Sequence, residues 1–293
     1  MEITNNAGLP QALVDAVTND PYQQSGHISV TGLIQPPRIR QLTMRHDITV
    51  DASDRIWMLL GSNVHEIIER TYNKDALQEE RLSMVVEGWR LTGATDLYDN
   101  GVITDFKTTS VWSVLHGVKP EWVTQLNLYG ALWQANGWPV DRLQIIAILR
   151  DWSKHQVSRS KDYPKTQVVV MPVDLWPRDI IMSYIEERVR FHQRSERLPD
   201  EDLPICTPEE RWEKPTTYAV KVKGQKRAKR VLESITEAEL WLKNNQKDKP
   251  MEIETRQGES VRCASYCDCA PYCDFYQKLM FNNYFKENYF KEG

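Results

Sequence analysis

Two acidic residues and a lysine stand on either side of a predicted β-turn. Asp96 precedes the pair Asn100-Gly101, and Asp105 and Lys107 follow it. Asn-Gly between two short runs of this kind is the strongest two-residue signal for a type I′ β-hairpin. The hairpin register places Asp96 opposite Asp105, and Lys107 on the same side of the sheet. Because facing carboxylates repel each other, the pattern indicates a divalent cation between them with a lysine beside it.

The elements that position these residues are predicted from the spacing of apolar side chains. The predicted helices span residues 54–72, 120–135 and 178–192, and the predicted strands span residues 82–89, 143–149 and 167–173. The strand at 143–149 is almost continuously apolar, which favours burial of both its faces. The order of these elements predicts an α/β or α+β mixed fold, with helices against a mixed sheet.

Composition sets limits on the class of protein. The chain has 293 residues, of which 41% are hydrophobic and 10% aromatic, as expected for a folded, soluble protein. It contains no run of 18 apolar residues and no secretory signal, so we expect no membrane span and a cytoplasmic location. The formal net charge of −4 does not by itself indicate nucleic-acid binding, which depends on the local distribution of charge.

One segment is strongly basic. It contains Lys221, Lys223, Lys226, Arg227, Lys229 and Arg230, and it has no acidic residue. The segment is either a solvated turn between two strands or a loop that contacts DNA phosphates. It lies within a predicted β-β-α-β module, whose elements span residues 218–222, 229–232, 236–244 and 251–256.

The five cysteines are concentrated near the carboxyl end. Four of them lie within eleven residues, at Cys263, Cys267, Cys269 and Cys273, and Cys206 precedes them. In a reducing compartment such cysteines are thiols or thiolates, so a metal site is favoured over disulfides.

Two further motifs complete a family pattern. His65 ends a Gly61-x-x-x-His65 motif before the hairpin, and Gln125 and Tyr129 lie one helical turn apart after it. Together with Asp96 and Asp105-Phe-Lys, these motifs resemble the PD-(D/E)xK nucleases of the RecB family. That family includes CRISPR-associated spacer-acquisition nucleases and phage recombination exonucleases. The resemblance covers about residues 28–200 and 206–273, and it implies a restriction-endonuclease-like mixed sheet flanked by helices.

The resemblance also implies a role for each residue. The implied ligands of Mg²⁺ or Mn²⁺ are Asp96, Asp105, the Phe106 carbonyl and His65. Lys107 would orient or activate the attacking water, and Gln125 and Tyr129 would hold that lysine and the DNA backbone. The cation would polarise the phosphoryl oxygen and lower the pKa of water. The chain departs from the family name in one respect, since Asp96 follows Ala-Thr rather than Pro.

The cysteines resemble a second family feature. Their pattern is similar to the three-plus-one arrangement that holds a [4Fe-4S] cluster in several RecB-family nucleases. The implied ligands are Cys206, Cys263, Cys267 and Cys273. Here the distant cysteine follows the nuclease core and the first spacing is three residues, both unlike the usual pattern. Zn²⁺ bound by the same thiolates is the alternative, and Cys269 is either spare or replaces Cys267.

These observations predict four segments and a function. The segments are an N-terminal arm at 1–27, a nuclease core at 28–205, a cysteine-cluster region with the inserted module at 206–275, and an aromatic tail at 276–293 that forms a terminal helix. We expect a metal-dependent DNA exonuclease of the phage recombination type, acting in a bacterial or phage-infected cell. It has no phosphate-binding loop motif, so a helicase or a single-strand annealing protein would be a separate partner. The alternatives are a CRISPR-associated spacer-processing nuclease and a non-catalytic DNA-end-binding protein.

Overall fold

The structure is a computed structural model that describes residues 1–19, 26–71, 77–246 and 249–289, without the side chains of residues 63, 65, 68–71 and 282–289. The chain divides into two compact units. The first unit comprises residues 1–41 and 47–198, and the second comprises residues 42–46 and 199–293. In the described part of the chain, no helix is long and apolar enough to cross a membrane.

The first unit alternates strands and helices. Its elements are β1 (Glu2–Thr4), α1 (Gln11–Thr18), β2 (Ile28–Ser29), α2 (Val30–Ile34), α3 (Pro37–Arg45, which ends in the second unit), β3 (Thr49–Asp51), α4 (Ile56–Thr71), β4 (Leu77–Gln78), β5 (Arg81–Val86), β6 (Trp89–Ala94), β7 (Leu97–Asp99), β8 (Val102–Thr109), α5 (Pro120–Ala135), β9 (Arg142–Leu149), α6 (Lys154–Val157), β10 (Val168–Val173) and α7 (Arg178–Glu196). The predicted arm at 1–27 thus includes β1, which pairs with β3, and α1.

Two sheets form the frame of this unit. The larger sheet has the strand order β10-β9-β8-β7-β4, and the smaller has the order β2-β6-β5. The larger sheet is mixed, because β8 and β9 run parallel while its other neighbours run antiparallel. Helix α5 contacts strands of both sheets as well as α2 and α7. The predicted class, a mixed α/β sheet flanked by helices, is confirmed.

The predicted hairpin is formed by β7 and β8. Its register pairs Asp99 with Val102 and Leu97 with Thr104, as predicted for a two-residue loop. Asn100 and Gly101 have φ angles of 46° and 80°, the positive values that a type I′ turn requires. Asn-Gly therefore sets the register of the strand that carries Asp105 and Lys107.

Two other strand predictions need correction. The predicted strand at 82–89 is confirmed over residues 82–86, but its end is wrong, because Glu87 and Gly88 form a turn with φ angles of 50° and 75° that separates β5 from β6. In β9, alternate residues are buried and the residues between them are half-buried, so the two faces are not equally covered as expected. Helix α5, in contrast, has the predicted bounds.

The core packs α5 against the hairpin. Trp133 is 1% exposed, and its ring stacks on that of Tyr98 with centroids 4.0 Å apart. The indole N–H of Trp133 donates to Thr95 Oγ1 at 3.1 Å, so the one polar atom of this ring is satisfied. This stack fixes α5 relative to the strands that hold the acidic residues.

The second unit contains the predicted module and the cysteines. Its further elements are β11 (Glu213–Lys214), β12 (Thr217–Val222), β13 (Ala228–Leu232), α8 (Ile235–Asn245), β14 (Met251–Arg256), β15 (Glu259–Ser260), α9 (Val261–Ser265) and α10 (Asp274–Tyr289). The sheet has the order β13-β12-β14, and α8 contacts all three strands, which confirms the predicted β-β-α-β module. In the described part of the chain the last element is helix α10, which includes residues 276–289 of the predicted tail.

Gly93 lets α5 approach β6 closely, and this contact yields a test of the packing. A Cβ atom at Gly93 would lie 2.8 Å from Tyr129 Cε1 and 3.0 Å from Leu132 Cδ1. We expect Gly93→Ala to lower the free energy of unfolding by about 1–3 kcal/mol, because overpacking shifts buried atoms. Gly130→Ala is the matched control, since its nearest contacts would be 3.7 Å away; chemical denaturation should show it to be neutral or stabilising. Equal losses in both variants would contradict this packing.

Candidate active site

The centre of the site is an ion pair on β8. Asp105 is 4% exposed. Lys107 Nζ lies 2.7 Å from Asp105 Oδ2 and 3.0 Å from Oδ1. Residues two apart on a strand project to the same side, so local geometry brings the two groups together. The lysine therefore neutralises a carboxylate that has little access to water.

Asp96 lies where the chain passes from one sheet to the other. Strand β6 ends at Ala94 in the smaller sheet, and β7 begins at Leu97 in the larger one. The β7–β8 ladder ends at Leu97, so the prediction that Asp96 pairs opposite Asp105 in the ladder is wrong. Because the chain bends here, the Asp96 carboxylate instead accepts the backbone N–H of Phe106, at 2.7 Å. This contact still brings the Asp96 carboxylate to the residue next to Asp105.

Helix α5 adds two side chains behind the lysine. Lys107 Nζ donates to Gln125 Oε1 at 3.3 Å, and Gln125 Nε2 donates to the Tyr129 hydroxyl at 3.1 Å. Gln125 and Tyr129 are one helical turn apart, so they share a face of α5. The result is a continuous chain of polar contacts from Tyr129 to Asp105, which fixes the position of the ammonium group.

The pKa of Tyr129 is raised by burial and by the negative charge of the site. Burial raises the pKa of Tyr129 well above its ordinary value, and the charges of Asp105, Asp96 and Glu79 raise it further. The hydrogen bond from Gln125 lowers the pKa, but this effect is smaller than that of burial. The phenol therefore stays neutral at physiological pH and acts as a hydrogen-bonding group. The carboxylates of Asp105, Asp96 and Glu79 thus all act on the Tyr129 hydroxyl.

Glu79 is the residue that the sequence analysis missed. It follows β4, which pairs with β7 as far as Gln78 and Leu97, so Glu79 and Asp96 are the next residues along the two strands. Strand β4 has two residues, too few for any apolar period to mark it. No signal in the sequence could therefore have placed this carboxylate beside the site.

The donor set suits a hard divalent cation. Two carboxylates, those of Asp96 and Asp105, and the carbonyl of Phe106 are oxygen ligands of the type that Mg²⁺ and Mn²⁺ prefer. His65 belongs to α4, but its side chain lies outside the described residues. Among the side chains that are described, no three from His, Cys, Asp and Glu are grouped as a ready metal site. The fit of a divalent cation to this site therefore depends on Asp96, Asp105 and the backbone oxygen of Phe106.

The cysteines form a cluster of thiols in the second unit. Cys206, Cys269 and Cys273 are buried, and Cys263 and Cys267 are half-buried. Burial raises the pKa of the Cys206 thiol to about 12, and smaller contributions come from Glu210 and from Cys263, Cys267 and Cys273. The other three predicted ligands therefore all act electrostatically on Cys206. Cys269 is also close, with its Sγ 3.5 Å from that of Cys267.

The basic segment runs from the end of β12 into β13. Lys221 Nζ lies 3.4 Å from Glu252 Oε1 and 2.5 Å from Glu254 Oε2. Lys221 therefore forms ion pairs with two carboxylates of the neighbouring strand β14. The other basic residues lie in the turn or on β13, and they stay candidates for phosphate contact: Lys223, Lys226, Arg227, Lys229 and Arg230.

Comparison with protein-family models and with curated proteins finds no match for this chain. Among solved structures, the crystal structure of SSO0001 is similar with a TM-score of 0.43 and 18% identity, over 64% of this chain and 86% of that one. An alkaline exonuclease, LHK-Exo from Laribacter hongkongensis, is similar with a TM-score of 0.35 and 12% identity, over 56% of this chain and 77% of that one. These likenesses are too weak to assign a function, which must come from the geometry of the site.

Proposed function

We propose that this protein is a DNA exonuclease that hydrolyses phosphodiester bonds with Mg²⁺ or Mn²⁺, resecting DNA ends for recombination or repair. One observation carries the proposal: the half-buried Lys107 contacts both the buried Asp105 and the Gln125–Tyr129 chain, and a second carboxylate, Asp96, accepts the N–H of the intervening Phe106. Phosphodiester hydrolysis requires a cation, a positioned water and positive charge near the phosphate. This set of residues suits all three requirements.

Asp96 and Asp105 would hold the cation, with the Phe106 carbonyl as a third oxygen. When bound, the metal supplies Lewis acidity that polarises a phosphoryl oxygen and lowers the pKa of water. The hydrogen bond from the Phe106 N–H orients the Asp96 carboxylate, and strand β8 orients that of Asp105. Because the Asp96 carboxylate is already held by a backbone N–H, little ordering of this ligand would be needed when a cation binds.

Lys107 is placed to act on the substrate. An ammonium group has three N–H donors, and Gln125 Oε1 accepts from it at 3.3 Å. The remaining donors serve Asp105 and, in the substrate complex, a phosphate oxygen or the attacking water. Gln125 is itself held by Tyr129, so the lysine has a supported position rather than the freedom of a surface side chain.

Two alternatives share this fold. A spacer-processing nuclease would use the same residues, and differs in its substrate rather than in its chemistry. A non-catalytic DNA-end-binding protein would have no use for this ion pair, because burying the charge of Asp105 costs several kcal/mol and is a poor source of stability. The supported position of Lys107 therefore favours catalysis. Any unwinding or annealing of the strands would come from a separate helicase or annealing protein.

The enzymatic test uses linear DNA labelled at one end and a covalently closed circle of the same sequence, with Mg²⁺ or Mn²⁺. We expect the wild-type protein to degrade the linear DNA and to leave the circle intact. Asp105→Asn and Lys107→Met should each lower the rate roughly 100-fold or more, because the metal site contributes several kcal/mol to the transition state. Asp99→Asn, on the same hairpin but near its turn, is the matched control and should keep its activity. Unchanged digestion by both site variants would refute the proposal, and cleavage of the circle would refute its exonuclease part.

We also propose that Cys206, Cys263, Cys267 and Cys273 hold a [4Fe-4S] cluster, with Zn²⁺ as the alternative. The support is the electrostatic effect of the other three thiols on Cys206 and the burial of Cys206 and Cys273. The described side chains are not grouped as a ready metal site, so the thiols would have to close in on the metal. When bound, such a group supplies cross-links between distant segments, which stabilise a small unit.

Metal analysis tests the cysteine proposal. After anaerobic purification we expect a brown protein with iron and sulfide, and Cys273→Ser should lose both, because a cluster needs its thiolates. Cys269→Ser is the matched control and should retain the iron. Colourless protein with zinc would support the alternative ligand, and protein with neither metal would contradict both. Loss of iron from Cys269→Ser with retention in Cys267→Ser would exchange the roles of these two residues.

A further inference from the structure

The two most exposed tryptophans in the described part of the chain are Trp112 and Trp57, which are 69% and 63% exposed. Trp112 lies three residues after the end of β8, the strand that carries Lys107. Trp57 lies in the first turn of α4, and this helix contacts β8. Large aromatic rings that stay in water in a folded protein mark a binding surface when they lie together with charge of one sign.

Arg150 connects Trp57 to the end of β8. Its backbone N–H donates to the carbonyl of Thr109 at 2.9 Å, where the parallel strands β8 and β9 end together. Thr109 is two residues beyond Lys107, or about 7 Å along the strand. The guanidinium group of Arg150 lies 4.2 Å from the centroid of the Trp57 ring. The cation of Arg150 thus covers one face of Trp57 close to the carboxyl ends of β8 and β9, and β8 is the strand that carries Lys107.

Trp112 has a rigid support. The short 3₁₀ turn that it belongs to is fixed at Val111, whose N–H donates to Asp151 Oδ1 at 2.7 Å, and by the Ser113 N–H to the carbonyl of Ser110 at 3.1 Å. His116 packs edge-on against the indole with ring centroids 5.8 Å apart. An exposed ring on a fixed backbone binds a flat partner at a low cost in conformational entropy.

The connection between β8 and α5 continues the same pattern. It ends at Lys119, whose ammonium nitrogen lies 4.9 Å from the centroid of the Trp122 ring, one turn before Gln125 on α5. The segment that joins Lys107 to Gln125 therefore carries two tryptophans with one lysine between them. Proteins that bind single-stranded nucleic acid combine stacking rings with positive charge along the backbone in this way.

We propose that Trp112, together with Trp57 and Arg150, forms a stacking surface for the unpaired bases of the DNA strand that enters the active site. The proposal rests on the proposed nuclease function and names its substrate as DNA with a single-stranded segment. Unpaired bases present the flat faces that exposed indoles bind, whereas the faces of bases in a duplex are already stacked. The guanidinium group of Arg150 would meet the phosphate next to a stacked base.

Binding measured without hydrolysis tests this surface independently of the nuclease activity. The probes are a dye-labelled oligothymidylate and an abasic oligonucleotide of the same length, titrated with the full-length protein in chelator and followed by fluorescence anisotropy. The wild-type protein should bind the oligothymidylate more tightly. Trp112→Leu and Trp57→Leu should each weaken that binding roughly 5- to 100-fold, the range expected for the loss of one stacked base, with little change for the abasic probe.

Two matched comparisons separate stacking from other effects. Trp112→Phe keeps an aromatic face and should retain most of the affinity that Trp112→Leu loses. Arg150→Ala should weaken binding of both probes and reduce the dependence of affinity on salt, whereas Arg142→Ala, at the other end of β9, should leave both unchanged.

Equal affinity of the wild-type protein for the two probes would overturn the proposal. So would an equal loss for both probes in the tryptophan variants, because that result would place the rings in the fold rather than against bases. If the wild-type protein shows the preference for bases but hydrolyses no DNA, the stacking surface stands and the nuclease assignment fails. If hydrolysis persists while both tryptophan variants bind like the wild type, the stacking surface alone fails.

Discussion

A carboxylate that is almost wholly buried beside a second carboxylate requires a compensating charge, and the Asp105–Lys107 pair meets that requirement here. Removing an ion from water costs several kcal/mol, which only close contact with an opposite charge can offset. Lys107 reaches both oxygens of Asp105, while the Phe106 N–H satisfies Asp96. Tyr129, under the same field, stays neutral. The site therefore has two carboxylates and one lysine, and the remaining negative charge suits a divalent cation.

The rest of the first unit positions these charged groups. The chain must leave one sheet after β6 and enter the other at β7, and Asp96 lies at this bend. The stack of Trp133 on Tyr98 fixes α5 over the hairpin, and the absence of a side chain at Gly93 lets Tyr129 come close. This close packing of α5 brings Gln125 within hydrogen-bond distance of Lys107.

The parts of this fold that could be predicted from sequence are those set by local chemistry. Asn100-Gly101 specifies one turn type and hence one register, and the apolar period of α5 marks both its ends. The turn at Glu87 and Gly88 also has positive φ angles, but glutamate rarely adopts them, so Glu-Gly is a weaker turn signal than Asn-Gly. Asp96 leaves the ladder because the chain changes sheets, and a change of sheet is a tertiary event that no local pattern encodes. Glu79 was missed for a related reason, since its two-residue strand is defined only by its partner.

The most direct test of the central claim is Mn²⁺ binding, followed by the electron paramagnetic resonance signal of the free ion. The account predicts that the wild-type protein takes up Mn²⁺, and that Asp96→Asn and Asp105→Asn each weaken this uptake by at least about tenfold, because each replaces a negatively charged carboxylate ligand with a neutral amide. Asp99→Asn should bind Mn²⁺ like the wild type. Equal uptake by the wild-type protein and by both ligand variants would contradict the claim that these two aspartates form the metal site.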